Sequence, residues 1–323
     1  MKTVCITGIT GQDGSYLAEL ALSEGYCVVG VVRDAPRATS QLPDLLERGV
    51  DLEEWDFCDP AGIRGILETY RPAKIFNFAG HSTGGGMYDD PVSIGEINGL
   101  SVVKILEAIL PVDRTIRFCQ ASSREVFGEA AESPQTELTA LNPRSPYGAA
   151  KMYADAMIRI YRQRYELFAS SAILFNHESP RRSLSYITRK ITHASVSIKL
   201  GLTQDLKLGN LDARRDWGHA GDYVRAMWLM LQQAQPDDFV LASGTSHSVR
   251  DVCRIAFEEL DLDYRDYVRE DPALFRPSEP LLLVGDAGKA RRQLGWTPRI
   301  SFRAMVRQMV VHDLALATAQ SPQ

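Results

Sequence analysis

Strand–helix alternation through the first half of the chain, a glycine-rich turn after the first strand-like run, and a long amphipathic segment from Tyr147 together predict an α/β protein. Short apolar runs separated by helical segments at this spacing argue for a parallel, doubly wound sheet. Residues 2–7 read as the first strand, 15–24 as the first helix and Cys27–Val32 as the second strand. Residues 52–57, 74–78 and 116–121 read as further strands, with helices over 60–69 and 99–110 between them. A helix over 147–165 carries apolar residues at helical intervals, and 171–174 is another buried strand. After about residue 177 the pattern loosens. Strands and helices such as 239–242 and 249–260 are set among loops rich in charge, glycine and proline. That composition predicts a smaller α/β region covering a ligand rather than a second independent core. The tail from Ala317 is expected to fray.

Bulk properties narrow the function. The chain has 323 residues, 45% hydrophobic and 24% charged, with a formal net charge of -5. That balance gives no general reason to expect nucleic acid, and a phosphorylated ligand would need local basic clusters to hold it. No apolar run reaches bilayer length and the N-terminus enters a strand directly, so a cytoplasmic protein without membrane contact is expected. Cys5, Cys27, Cys58, Cys119 and Cys253 are scattered without paired spacing. They read as reduced, buried thiols, with neither a disulfide framework nor a metal site.

Gly8-Ile9-Thr10-Gly11-Gln12-Asp13-Gly14 occupies the first strand–helix turn. Glycines there let the backbone turn tightly and approach a pyrophosphate, whose charge a helix N-terminus favours. The spacing is GxxGxxG, and a structural turn is the plainer alternative; the position at the first βα turn favours dinucleotide binding and a Rossmann fold. Residues 1–177 are therefore expected to form the dinucleotide-binding domain. Residues 178–323 are expected to bind mainly the substrate, with some strands and helices returning to the first core. The end of the second strand selects the cofactor: an acid binds a free ribose hydroxyl, an arginine a 2′-phosphate. Arg33 comes first and Asp34 second, with Arg37 nearby, which favours NADP. The alternative for Arg33 is a solvated loop charge. Asp56-Phe57 at the end of the third strand is placed to meet the adenine, and Asp59 to cap the next helix.

Tyr147-Gly148-Ala149-Ala150-Lys151 sets a phenol and an ammonium four residues apart, on one helix face. A lysine cation near a tyrosine is expected to lower the phenol's pKa and make it a base near neutrality. A surface pair is the alternative, but the glycine loop and this motif agree on one fold. Ser123 and Glu125 follow the strand over 116–121, at the carboxyl end where ligands bind in such sheets. Ser123 is placed to hydrogen-bond a reacting oxygen. Glu125 is either a second acid/base group or a loop carboxylate; a second group is what an elimination needs beyond a simple hydride transfer.

These residues continue into Leu174-Phe175-Asn176-His177-Glu178-Ser179-Pro180-Arg181-Arg182 and Arg214-Arg215-Asp216-Trp217-Gly218-His219. Together they resemble the GDP-mannose 4,6-dehydratases, a family of extended short-chain dehydrogenase/reductases, over nearly the whole chain. The resemblance implies NADP(H) and a GDP-sugar. Tyr147, with Lys151, would take the proton of the C4 hydroxyl while NADP accepts hydride. Glu125 would then remove the C5 proton, water leave from C6, and the hydride return there, with Ser123 completing the catalytic set. It implies cofactor contacts from Gly8, Gly11, Gln12, Asp13, Gly14, Arg33, Asp56, Phe57, Tyr147, Lys151, His177 and Arg182. Arg182 would contribute across a tetramer interface, so a homo-oligomer is expected. For the substrate it implies Asn176, Lys190, Gly209, Asn210, Arg215, Arg250, Arg276 and Glu279.

Several positions depart from the family's pattern, among them Ser123 in place of threonine and a shortened connection after Arg33, with Asp34 where a second arginine is common. Asn77-Phe78-Ala79-Gly80-His81-Ser82-Thr83-Gly84-Gly85-Gly86-Met87-Tyr88 carries three consecutive glycines. Its His81 reads first as a structural histidine and second as an acid/base or sugar contact. Arg124 stands in place of a small residue beside Glu125. The alternatives are an enzyme acting on another GDP-sugar, by dehydration, epimerisation or reduction, and a non-catalytic NADP-binding regulator. Glu125 argues for elimination, and Tyr147 with Lys151 against the regulator.

Overall fold

The computed structural model describes residues 1–57, 59–81, 88–275 and 282–320. The strands are β1 (Thr3–Thr7), β2 (Cys27–Val32), β3 (Val50–Glu54), β4 (Lys74–Asn77), β5 (Arg117–Ala121) and β6 (Ala169–Leu174). They continue with β7 (Asn176–Glu178), β8 (Leu206–Leu208), β9 (Arg214–His219), β10 (Phe239–Leu241), β11 (Ser246–Ser248) and β12 (Val268–Glu270). The helices are α1 (Gln12–Ser23), α2 (Ala35–Gln41), α3 (Pro43–Glu47), α4 (Pro60–Tyr70), α5 (Pro91–Gly95), α6 (Ser101–Val112) and α7 (Pro146–Tyr165). The second half adds α8 (Ile187–Lys199), α9 (Ala220–Met230), α10 (Val249–Glu258), α11 (Tyr264–Tyr267), α12 (Gly288–Leu294) and α13 (Phe302–Gln320).

Seven strands form the main sheet in the order β10-β6-β5-β4-β1-β2-β3, every pair parallel. The order reverses between β1 and β4, which is the switch point of a Rossmann sheet and opens a crevice beyond the strand ends. Residue alternation sorts side chains to two faces. Val4 and Ile6 of β1 join the cluster built with Leu17 and Ala18 of α1 and Met227 and Met230 of α9. Cys5, between them, joins Ile63 of α4, Val102 and Ile105 of α6 and Ile158 of α7. Trp228, Phe239 and Leu294 also fall in the first cluster, so α9, β10 and α12 complete the seven-stranded unit from late in the chain.

Several expectations change. The second half does hold an apolar core of its own: Ile191, Leu206, Trp217, Phe257 and Met309 bring α8, α10 and α13 together. The third strand ends at Glu54, not at Phe57, because its partner β2 stops at Val32, opposite Glu54, and the chain then turns into α2. Helix α13 continues to Gln320, past the point where fraying was expected. Cys5, Cys119 and Cys253 are free and buried, but Cys27 is exposed at the start of β2; Cys58 lies outside the described residues. No helix among the described residues is long and apolar enough to cross a membrane.

Candidate active site

The glycine loop is built for close approach. Gly8 has φ +69, and a Cβ there would lie 2.8 Å from the amide nitrogen of Ala79. A Cβ on Gly14 would lie 2.4 Å from the carbonyl oxygen of Gly8. Gly11 is the N-cap of α1 and offers no side-chain cap, so the helix start faces the crevice as bare amides. This arrangement fits a pyrophosphate. The side chain of Gln12 is committed elsewhere: Nε2 donates to the His177 carbonyl (3.1 Å) and Oε1 accepts from Ser179 (2.7 Å). Only its backbone is left to meet a cofactor.

Asp13 and His177 form a buried pair against this loop. His177 Nε2 lies 2.9 Å from Asp13 Oδ2, and Nδ1 lies 2.7 Å from the Phe175 carbonyl. Both ring nitrogens face acceptors, an arrangement that favours the imidazolium, the form in which both can donate. Burial opposes that charge, but the bonded Asp13 carboxylate outweighs it and holds the imidazole above its ordinary 6.5. Burial would likewise raise Asp13, yet His177 holds it below 3.8. The pair's stabilisation is therefore fully present between about pH 4 and pH 6.5. It falls away on the alkaline side, as pH rises through the raised histidine value, and on the acid side, through the lowered aspartate value. We expect the melting temperature to decline above pH 6.5. Asp13→Asn should abolish most of that slope and cost about 2 kcal/mol near neutrality, as loss of a charge-assisted hydrogen bond does. Melting curves across pH check this, and an unaltered slope in Asp13→Asn would refute the pairing.

A row of buried polar groups fixes the carboxyl ends of the central strands. Thr7 donates to Asn77 Oδ1, Asn77 Nδ2 to Gln120 Oε1 (2.6 Å), and Gln120 Nε2 to the Ala121 carbonyl (2.7 Å). Lys151 Nζ donates to that same carbonyl at 2.8 Å. Helix α7 starts at the Ser145 cap, which accepts from the Gly148 amide at 3.1 Å, with Pro146 in its first turn. This start places Tyr147 beside Ser123, whose side chain hydrogen-bonds the phenol. Lys151 Nζ lies 5.7 Å from the centre of the tyrosine ring. Glu125, in the short 3-10 turn Arg124–Val126, bonds through its amide to Ser123 Oγ (3.2 Å) and through Oε1 to Arg124 Nη2 (2.8 Å). Ser123, Glu125, Tyr147 and Lys151 are thus gathered at one end of β5.

The expected electrostatics of Tyr147 are reversed. Burial pushes the phenol well above 10, Tyr186 and Glu125 add to this, and the hydrogen bond from Ser123 and the charge of Arg182 only partly oppose it. Lys151 is itself desolvated, to about 8, and its ammonium is turned to Ala121 rather than to the phenol oxygen. Proximity along a helix face did not amount to activation, because burial is the larger effect.

Asn98 is a site residue that sequence reasoning missed. A π-helical turn, Glu96–Leu100, widens the helix between α5 and α6 and buries Asn98. Its Nδ2 donates to Ile94 (3.1 Å) and its Oδ1 accepts from the amide of His81 (3.1 Å). A Cβ on Gly80 would lie 2.7 Å from Asn98 Oδ1 and 3.6 Å from Lys151 Nζ, so this turn closes the site beneath the lysine. An Asn-Gly pair inside an apolar helical run was the available signal. The side chain of His81 is exposed, and residues 82–87 lie outside the described residues.

Around the crevice, Arg33 and Asp56 are exposed, and Phe57 packs against Trp55 with ring centres 4.6 Å apart. Asp34 caps α2, accepting from the Arg37 amide at 2.9 Å, and Asp59 caps α4. Arg182 pairs with Glu178 at 3.2 Å and stacks on Tyr186 at 3.5 Å; within its own chain its charge reaches Asp13, His177 and Tyr147. Asn176 Oδ1 is buried with no hydrogen-bond partner among the described residues, as a ligand-facing amide would be. Lys190 on α8 donates to Lys207 of β8 at 3.1 Å, and Gly209-Asn210 follow β8 directly. Arg250 forks onto Asp212 at 2.9 and 3.1 Å. Arg215 lies on β9, two residues before the register partner of Asn176. These basic groups therefore share one region next to β7–β9. Arg276 and Glu279 lie outside the described residues.

Comparison with known proteins gives one consistent picture. A family model described as GDP-mannose 4,6 dehydratase matches residues 5–309. The chain is 42% identical to GDP-mannose 4,6 dehydratase 2 of Arabidopsis thaliana over 328 residues, covering 98% of this chain and 88% of that protein. Its fold is similar to that of a dTDP-glucose 4,6-dehydratase of Bacillus anthracis in complex with NAD, with TM-score 0.82, 19% identity and 97% and 96% of the two chains covered. It is also similar to RMD of Pseudomonas aeruginosa complexed with NADPH, with TM-score 0.81, 20% identity and 98% and 100% covered.

Proposed function

The chain belongs to the GDP-mannose 4,6-dehydratase family, and on that footing we propose that Ser123, Glu125, Tyr147 and Lys151 dehydrate GDP-mannose to GDP-4-keto-6-deoxy-mannose with NADP held as a recycled cofactor. It is a nicotinamide-dependent sugar-nucleotide 4,6-dehydratase, a hydro-lyase. The observation that supports the residue roles is that two acid/base residues, Tyr147 and Glu125, meet at Ser123, the phenol at its hydroxyl and Glu125 through its backbone amide. A redox step alone needs one such group; an elimination needs both.

The glycine loop and the uncapped start of α1 fit the cofactor's pyrophosphate. When bound, the nicotinamide supplies a cationic ring that stores the hydride of carbon 4 until carbon 6 receives it. Tyr147 takes the proton of the C4 hydroxyl, and the ammonium of Lys151 with the Ser123 hydroxyl offsets the charge that develops there. The C4 ketone acidifies the C5 proton, which Glu125 removes and passes to the C6 hydroxyl, so that it leaves as water. As hydride returns to C6, the proton that Tyr147 took from the C4 hydroxyl goes to C5, and both groups are back in their starting states. Arg124 holds the carboxylate in place between these steps.

NADP is the proposed form because Asp34 is engaged as the cap of α2, which leaves Arg33 as the charged group presented at the end of β2. Asn176, Lys190, Gly209, Asn210, Arg215, Arg250, Arg276 and Glu279 are the proposed nucleotide side, supported by the basic grouping around β8 and β9. A homo-oligomer and a cytoplasmic setting belong to the same reading; the free, buried Cys5, Cys119 and Cys253 support the latter. Incubation with GDP-mannose is expected to give a product lighter by one water, and NADP to raise the melting temperature more than NAD does. Unchanged substrate mass would overturn the reaction, and a larger shift with NAD the cofactor.

A further inference from the structure

Asp155 is a buried carboxylate that the dehydration chemistry does not use. It lies one helical turn beyond Lys151 on α7, on the same inward face, and only 1% of its surface is exposed. Its Oδ2 accepts from Ser122 Oγ at 2.6 Å. Ser122 is the residue after Ala121, whose carbonyl holds Lys151 Nζ at 2.8 Å. The end of β5 thus grips the lysine with one residue and the aspartate with the next. The other oxygen, Oδ1, is buried and makes no close hydrogen bond, with the Ser171 hydroxyl of β6 lending the carboxylate weaker support. A buried carboxylate so thinly satisfied is costly unless a charge answers it.

We propose that Asp155 is a positioning residue of the catalytic centre, supplying the buried negative charge that keeps the Lys151 side chain in its ammonium form at the end of β5. Lys151 is almost fully enclosed, and enclosure favours the neutral amine. Burial brings it down to about 8, and the Asp155 charge is what opposes that fall. Burial raises Asp155 itself to about 6, against the Ser122 and Ser171 hydroxyls and Lys151, which lower it; Asp238 at the start of β10 raises it further. Each charge thus favours the other, the lysine lowering the aspartate and the aspartate raising the lysine. Asp238 is in turn paired with Arg162 and Arg159 of α7, which match its own charge. A neutral Lys151 would have nothing with which to offset the phenolate of Tyr147.

Asp155→Asn keeps the side-chain shape and an acceptor for Ser122 but removes the charge. In protein with nitrogen-labelled lysine, the protected Lys151 ammonium resonance, assigned by its loss in Lys151→Ala, should disappear about one pH unit lower than in the parent. The alkaline limb of kcat should move down with it, a loss of about tenfold on that limb, with KM for GDP-mannose unchanged. A resonance and a rate profile that superimpose on the parent's would overturn the proposal. Should Asp155→Asn fail to fold, the smaller neutral Asp155→Ser is read in the same way. The proposal rests on the catalytic role given to Lys151, and the two fail separately. If Lys151→Ala turned over normally, that role would fall and the positioning claim with it. If Lys151→Ala is inactive while Asp155→Asn titrates like the parent, only the claim for Asp155 falls.

Discussion

Tyr147→Phe is expected to lower kcat by about a thousandfold, the scale of a positioned acid/base group, while leaving binding of NADP and GDP-mannose within about twofold. The substitution removes only the oxygen. The ring still packs at the start of α7, and Ser145 still caps the helix, so the melting temperature should hardly change. The structure also says why the phenol needs help: burial raises its pKa, and Lys151 is aimed at the Ala121 carbonyl instead of at it. The phenol oxygen is the only atom changed, so turnover should report its loss far more strongly than binding does. Stopped-flow measurement of nicotinamide reduction isolates the first step, and Tyr147→Phe should show none on the parent's timescale. Reduction at the parent's rate would remove Tyr147 from the C4 hydroxyl.

The parts of the site that could be read in the sequence are those in which one short segment carries both the signal and the geometry. Gly8, Gly11 and Gly14 lie within a single turn, and the crowding of Gly11 and Gly14 against Gly8 follows from that turn. Tyr147 and Lys151 share one helix, so their common face follows from helical spacing. What could not be read depends on distant partners. The end of β3 is set by where β2 stops. The sign of the Tyr147 shift is set by burial, with Tyr186 and Glu125 from other segments adding to it, and helical spacing carries no measure of that. Asp155 carries no signal of its own within an amphipathic helix; its part comes from the end of β5, which meets it through Ser122. Asn98 was hidden because a π-helical turn does not follow the helical period by which the segment was read. The apolar core of the second half is assembled from α8, α10 and α13, whose apolar residues are too far apart in sequence to announce one cluster.

Glu125→Gln separates the elimination from the oxidation. The amide keeps the size of the side chain and its bond from the Glu125 backbone to Ser123 Oγ, but it has no basic oxygen for the C5 proton. Removal of the C4 hydroxyl proton does not call on Glu125, so the first step should survive. Loss of water and return of hydride to C6 should slow by about a thousandfold. Hydride would then remain on the cofactor, and the absorbance of reduced nicotinamide should rise to nearly one equivalent per site in a single turnover, where the parent shows only a transient. The sugar recovered from that mixture should be a 4-keto hexose with its C6 hydroxyl still in place, two hydrogens lighter than the substrate. Tyr147→Phe gives the opposite signature, with neither reduction nor ketone. Arg124 loses the charge it faces in Glu125→Gln, so a modest loss of thermal stability is expected alongside, and the spectral signature does not depend on it. Product formation at the parent's rate would show that another group takes the C5 proton. A variant unable to reduce the cofactor at all would instead place Glu125 in the first step, with Tyr147, and leave the elimination without its base.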